Sequence, residues 1–72
     1  MKKIDKLDIS LIKEMVRAFN REYGTTMLVT VQEGVQIHSV LGVHTFTNAD
    51  VAIGFMIGLQ TSREIEKAEN EK

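Results

Sequence analysis

The sequence predicts a small α+β domain in which two helices pack on one antiparallel sheet. Three observations carry that prediction. They are an apolar stripe at helical spacing near the N-terminus, a β-branched stretch with a Gly-containing turn, and an apolar block that follows a helix-capping signal. The predicted element order is α-β-β-(β)-α, in which the strand in brackets is left open. The 72 residues are expected to form one domain, 1–72.

The first helix is predicted from about Asp8 to Tyr23. Its apolar side chains recur at three- and four-residue steps, which is typical of an amphipathic helix. The stripe consists of Ile12, Met15, Val16, Phe19 and Tyr23. Asp5 or Asp8 can accept hydrogen bonds from the first free backbone N–H groups, and Gly24 suits a left-handed helix end.

Two strands joined by a short turn are predicted next. Thr25–Val31 is rich in β-branched residues, and Val35–Leu41 alternates between two faces. The turn Gln32–Gly34 contains a glycine, which is typical of a hairpin. Gly42 interrupts the return strand as a bulge or a bend. The segment Val43–Phe46 either continues that strand or forms a short third one.

The closing helix is predicted to begin near Asn48, because Thr47 and Asp50 have the spacing of a capping box. The helix runs through an apolar block and at least to Arg63. Residues 64–72 have helical composition but few apolar side chains to bury. We therefore expect them to form a frayed helical tail.

Residues 25–62 carry almost no charge. Of the 9 basic and 10 acidic side chains, only Glu33 and Asp50 lie in this segment. Such a distribution is typical of a chain whose middle is buried and whose ends are hydrated. A lone core is marginal at this length, and the chain has no Cys for disulfides or a thiolate metal site. Partner subunits are therefore the expected source of further burial.

The second helix predicts self-association, because its first two turns are apolar on nearly every side. One small sheet and one other helix are not expected to cover it, whereas a second copy would. A Gly-x-x-x-Gly spacing lets another backbone come close, although packing within the same chain is the alternative. The predicted homo-oligomer interface consists of Ile53, Gly54, Phe55, Met56, Ile57 and Gly58.

Arg17 and Arg21 lie one helical turn apart and can clamp a phosphate or a carboxylate. Glu14 lies on the same stripe and would neutralise part of that charge, so a solvated helix face is the alternative. If the stripe lines a groove between copies, Tyr23 joins the two arginines. The full set of predicted ligand contacts is Arg17, Arg21, Tyr23, His38, His44 and Thr45.

His38 and His44 are the only histidines in the sequence. They share one strand face if Gly42 makes no bulge, and two imidazoles can begin a zinc site or a pH-sensitive interface. Their spacing matches no metal signature, so neither a metal nor a cofactor is predicted. The polar segment around Thr45 precedes a helix N-terminus, which can bind an anion or simply be capped.

The sequence predicts a non-enzymatic, homo-oligomeric binding module of accessory or inhibitor type, of the kind that phages or mobile elements encode. Nucleophile-elbow and phosphate-loop motifs are absent from the sequence. The module is expected to bind a partner protein or to sequester an anionic small molecule. The alternative is a small DNA-binding transcriptional regulator that uses Lys2, Lys3 and Lys6. A net charge of −1 gives little attraction to nucleic acid.

A cytoplasmic location without membrane contact is also expected. The longest apolar run, Val51–Leu59, is much shorter than the ~20 residues that span a bilayer. The N-terminus contains lysines but no apolar run, so it does not resemble a secretory signal. The absence of Cys fits a reducing compartment.

Overall fold

The computed structural model of the chain describes residues 4–71 and confirms the α+β fold class. Two helices and one three-stranded sheet follow each other in the order α-β-β-β-α. The elements are α1 (Lys6–Tyr23), β1 (Leu28–Val31), β2 (Val35–Ser39), β3 (Gly42–Phe46) and α2 (Ala49–Asn70).

Helix α1 begins two residues before the predicted start, because Asp5 and not Asp8 provides its N-cap. The Asp5 side chain accepts a hydrogen bond of 3.3 Å from the backbone N–H of Leu7. The helix ends as predicted at Gly24, which has a left-handed φ of 66°. Local capping chemistry therefore fixes both ends of this helix.

Strand β1 is shorter than predicted, because the residues before it are bonded to a helix side chain and not to a strand. The Asn20 amide donates to the Met27 carbonyl oxygen at 2.9 Å and accepts from the Met27 N–H at 2.9 Å. It also accepts from the Thr25 hydroxyl at 2.7 Å. The prediction of strand from Thr25 to Val31 is therefore wrong for its first three residues.

Asn20→Ala is expected to lower the free energy of unfolding by about 2–3 kcal/mol, because it leaves the Met27 N–H and C=O without their partner. Urea unfolding followed by circular dichroism measures the loss. Asn20→Asp is the matched control, since a carboxylate still accepts from Met27 and Thr25 but cannot donate to the Met27 carbonyl. It should give an intermediate loss, and wild-type stability in Asn20→Ala would contradict the account.

The strand left open by the sequence is a separate third strand that begins at Gly42. The chain reverses at Val40 and Leu41, and Ser39 pairs with Gly42 across the turn. Gly42 has a φ of 122°, which L-residues rarely adopt. The predicted strand Val35–Leu41 is therefore wrong at its end, because it stops two residues earlier.

The sheet is an antiparallel meander with β2 between β1 and β3. Side chains alternate between an inner face, which packs on the helices, and an outer face. Cross-strand neighbours on the inner face form the rows Val29–Ile37–His44 and Val31–Val35–Phe46. Gly34 is buried at the first turn, where an added Cβ would lie 2.5 Å from the Phe46 carbonyl oxygen.

The core lies between the inner face of the sheet and the two helices. Its buried side chains are Ile12, Val16, Phe19, Met27, Val35, Ile37, Ala52 and Met56. The predicted apolar stripe of α1 supplies three of these residues, while Met15 and Tyr23 from the same stripe are only partly buried. Removing these apolar side chains from water is the main favourable contribution to the free energy of folding.

Helix α2 is capped by Asn48, whose side chain accepts from the N–H groups of Asp50 at 2.8 Å and of Val51 at 3.4 Å. The prediction that Thr47 begins a capping box is therefore wrong by one residue. This cap already satisfies two of the N–H groups that would bind an anion. The helix continues through the predicted tail to Asn70, and the side chains from 60 to 71 are all exposed. Fraying of residues 64–72 stays a prediction.

Candidate functional site

The uncharged middle of the chain is only partly buried. Residues 25–62 supply the whole sheet and the first 14 of the 22 residues of α2, yet two of their surfaces have no covering layer within residues 4–71. One is the outer face of the sheet. The other is the side of α2 turned away from the core. Both surfaces are candidates for contact with another molecule.

The open sheet face is defined by the rows Leu28–His38–Val43 and Thr30–Gln36–Thr45. These two rows contain no Lys, Arg, Asp or Glu. Leu28 and Val43 flank His38 and are 66% and 57% exposed. In an antiparallel sheet with one solvated face, the outward side chains are usually polar. This face differs, because it carries no charge and has two exposed apolar side chains.

A short hydrogen-bonded chain orders the polar residues of the open sheet face. The Thr30 hydroxyl donates to Gln36 Oε1 at 2.8 Å and lies 2.8 Å from His38 Nε2. Because the hydroxyl has one proton, His38 Nε2 is then the donor to Thr30. These hydrogen bonds are exposed and link the Thr30 side chain on β1 to the Gln36 and His38 side chains on β2.

The hairpin tip, Val40 and Leu41, extends the same apolar surface. Their side chains are 98% and 87% exposed. Turns usually carry Gly, Asn, Asp or Ser, so two exposed aliphatic residues here need an explanation beyond folding. Sequence reasoning missed the tip because it assigned both residues to a strand. Gly42, directly after them, was the available signal for a turn.

The outer face of α2 is defined by Val51, Gly54, Ile57, Gly58, Thr61 and Ile65. At about 100° per residue, these positions lie opposite Ala52 and Met56, which enter the core. An added Cβ at Gly54 or Gly58 would meet nothing within 4 Å. The alternative that the glycines pack within the same chain is therefore wrong.

The chain's own core occupies half of the predicted oligomer interface. Met56 is buried in that core, and Ile53 and Phe55 pack against it. Gly54, Ile57 and Gly58 point outward and are exposed. A second copy can therefore contact only the outward half of the predicted set.

The predicted arginine clamp lies on a solvated surface of α1. Arg17 forms an ion pair of 2.9 Å with Glu14, and both side chains are mostly exposed. Arg21 is exposed in the last turn of α1, where a cation complements the helix dipole. Neither arginine lies on the open sheet face or on the outer face of α2.

Tyr23 lies at the end of α1 against the Phe19 ring, with ring centroids 4.7 Å apart. Partial burial raises the pKa of the Tyr23 phenol, and the carboxylates of Glu64 and Glu22 raise it further. Arg63 acts in the opposite direction. This environment favours a protonated phenol and gives no sign of a nucleophile.

The two histidines lie on opposite faces of the sheet, because the chain turns before Gly42 and the condition for a shared strand face is not met. The chain reverses between His38 and His44, which places them on neighbouring strands. His38 belongs to the open sheet face with Thr45, while the His44 ring lies 5.0 Å from the Phe55 ring on the inner face. Within residues 4–71, no three His, Asp or Glu side chains cluster in a way that could hold a metal ion.

Comparison with known proteins finds no matching family, no similar curated protein and no similar solved structure. No helix in the described part of the chain combines the length and hydropathy that crossing a membrane requires. The cytoplasmic location stays a prediction. The surfaces of the molecule itself are therefore the basis for inferring its function.

Proposed function

We propose that the chain is a non-enzymatic, homo-oligomeric binding module whose ligand is a partner protein. Copies associate through the outer face of α2, and the open sheet face with the hairpin tip binds the partner. One observation carries this proposal: uncharged apolar surface is left uncovered on two different sides of the molecule. Two uncovered sides can serve self-association and partner binding at the same time.

Self-association is supported by the spacing on α2. Val51, Gly54, Gly58, Thr61 and Ile65 alternate steps of three and four residues, which is the spacing of a coiled-coil seam. We call these five residues the α2 seam. Because the two glycines have no side chains, a second helix can approach closer than the usual 8–10 Å between helix axes. The apolar side chains on this face are about half exposed, so burying the rest of each contributes about half of the roughly 1.5–3 kcal/mol that full burial gives.

A partner protein fits the open sheet face better than a small anion does. The centres of protein interfaces are depleted in charge and combine apolar contacts with a few hydrogen bonds. Leu28 and Val43 can supply the apolar contacts, and Thr30 and Gln36 the hydrogen bonds. An anion would need a free cation, and the two rows of this face contain none.

The DNA-binding alternative depends on Lys2, Lys3 and Lys6. Lys2 and Lys3 lie outside the described residues. Lys6 is exposed at the start of α1, between the acidic residues Asp5 and Asp8. No observation on residues 4–71 favours this alternative, so it is not part of the proposal.

Val43→Lys tests the partner-binding face, because it places a charge on the exposed side of edge strand β3, beside His38, without entering the core. Ser10→Lys on the exposed side of α1 is the matched control. Wild type, Val43→Lys and Ser10→Lys are each used as bait in affinity capture from cells that encode the chain. Each captured protein is then purified and titrated against the three baits separately. We expect a protein that binds wild type and Ser10→Lys equally and Val43→Lys at least about tenfold more weakly. Equal binding by all three baits would contradict the proposal.

A further inference from the structure

A cleft of about 570 Å³ lies at one end of the sheet, between the hairpin tip, the α1–β1 connection and α2. We call it the hairpin cleft. Its apolar walls are formed by Phe19, Met27, Val40, Leu41, Phe55 and Leu59. The Phe55 ring is held between His44 at 5.0 Å and Phe46 at 5.2 Å, which gives the cleft a rigid side. This volume lies within the range of about 300–1,000 Å³ that small-molecule sites have, although the cleft is partly open to solvent.

The charged and titratable groups that line the hairpin cleft are Arg63, His38 and His44. None of the described residues lining it is Asp or Glu. Arg63 lies 3.6 Å from Glu66, which is too long for a hydrogen bond, and both side chains are more than half exposed. Such an exposed pair is weak, so the guanidinium can turn toward the cleft.

Two other clefts of the molecule are lined by acidic side chains. The cleft beside Tyr23 is lined by Glu22 and Glu64, and the cleft beside Ile4 by three aspartates. Both would repel an anion. The hairpin cleft differs from these two in combining apolar walls with one cationic side chain, Arg63, and no acidic side chain among its described lining residues.

We infer that the hairpin cleft binds a small molecule with an apolar body and one carboxylate group. The body would contact the aliphatic and aromatic walls, and the carboxylate would accept hydrogen bonds from Arg63, whose planar fork matches a carboxylate. The hairpin cleft shares His38, Val40 and Leu41 with the proposed partner-binding surface, but a ligand can occupy it in the isolated chain without partner binding or self-association. Ligand binding is tested on the full-length wild-type chain.

Titration with decanoate and with 1-decanol tests the charge requirement, because the two probes share one chain length. The Met27 methyl resonance reports occupancy, since this side chain lines the cleft. We expect decanoate to bind about tenfold more tightly than 1-decanol, which corresponds to one charge-assisted contact. Arg63→Gln should remove that preference, and Arg17→Gln on α1 should keep it.

Leu41→Ser is a second variant, and it is expected to fold because Leu41 is an exposed turn residue. It should weaken both probes. Equal binding of the two probes to wild type, or an unchanged preference in Arg63→Gln, would overturn the inference. The absence of any Met27 shift up to about 1 mM decanoate would overturn it as well. A Met27 shift that follows protein concentration without a probe would assign the cleft to a second copy, which also overturns it.

Discussion

Ile37→Ala is expected to lower the free energy of unfolding by about 3–4 kcal/mol. Ile37 is fully buried at the centre of the middle strand, between Val29 and His44. A cavity there cannot collapse easily, because strands pack against it on both sides and helices above it. A domain of this length has a total stability of about 4–11 kcal/mol, so the change removes much of it.

Urea and thermal unfolding measure this loss, and the midpoint of thermal unfolding should fall by about 15–25 °C. Val43→Ala is the matched control, because it is also a β-branched strand residue but faces outward. Its cost should stay below about 1 kcal/mol. Similar losses in Ile37→Ala and Val43→Ala would mean that the inner face of the sheet does not form the core.

Gly58→Lys is expected to stabilise the isolated chain and to abolish its self-association. Within one chain, the new side chain meets no neighbour, and Lys favours a helix over Gly by roughly 0.5–1 kcal/mol. Between two copies, the same side chain inserts bulk and an unpaired charge into the seam. The association constant should fall at least about 100-fold.

Thermal unfolding at low and high protein concentration separates these two effects. The wild-type midpoint should rise with concentration, because association stabilises the folded chain by mass action. The Gly58→Lys midpoint should be independent of concentration and should exceed the wild-type value in the dilute sample. Gln60→Lys is the control, since Gln60 is exposed on α2 outside the seam. A Gly58→Lys midpoint that rises with concentration as the wild-type midpoint does would contradict the proposed seam.

Local signals in the sequence predicted most of the fold. The apolar stripe of α1 and the left-handed cap at Gly24 are encoded within a few residues, so both were confirmed. The boundaries that were wrong depend on partners far along the chain. The Asn20 side chain forms hydrogen bonds with Thr25 and Met27, so these residues do not pair in the sheet. Such bonds between α1 and the segment after it cannot be deduced from either segment alone.

The candidate site was less predictable than the fold. Sequence reasoning chose ligand contacts by residue type, but whether a polar side chain is free depends on its neighbours, as the Arg17–Glu14 pair illustrates. The apolar block of α2 indicated that this helix has more apolar surface than its own chain covers. Which side of the block is uncovered depends on how α1 and the sheet pack against it, and only the structure gives that.

Sedimentation equilibrium of the wild-type chain over a wide range of concentrations decides whether a second copy covers the outer face of α2. We expect a particle of twice 8.1 kDa that dissociates on dilution, and a Gly58→Lys particle of 8.1 kDa throughout. A wild-type chain that stays at 8.1 kDa at every concentration would contradict this expectation.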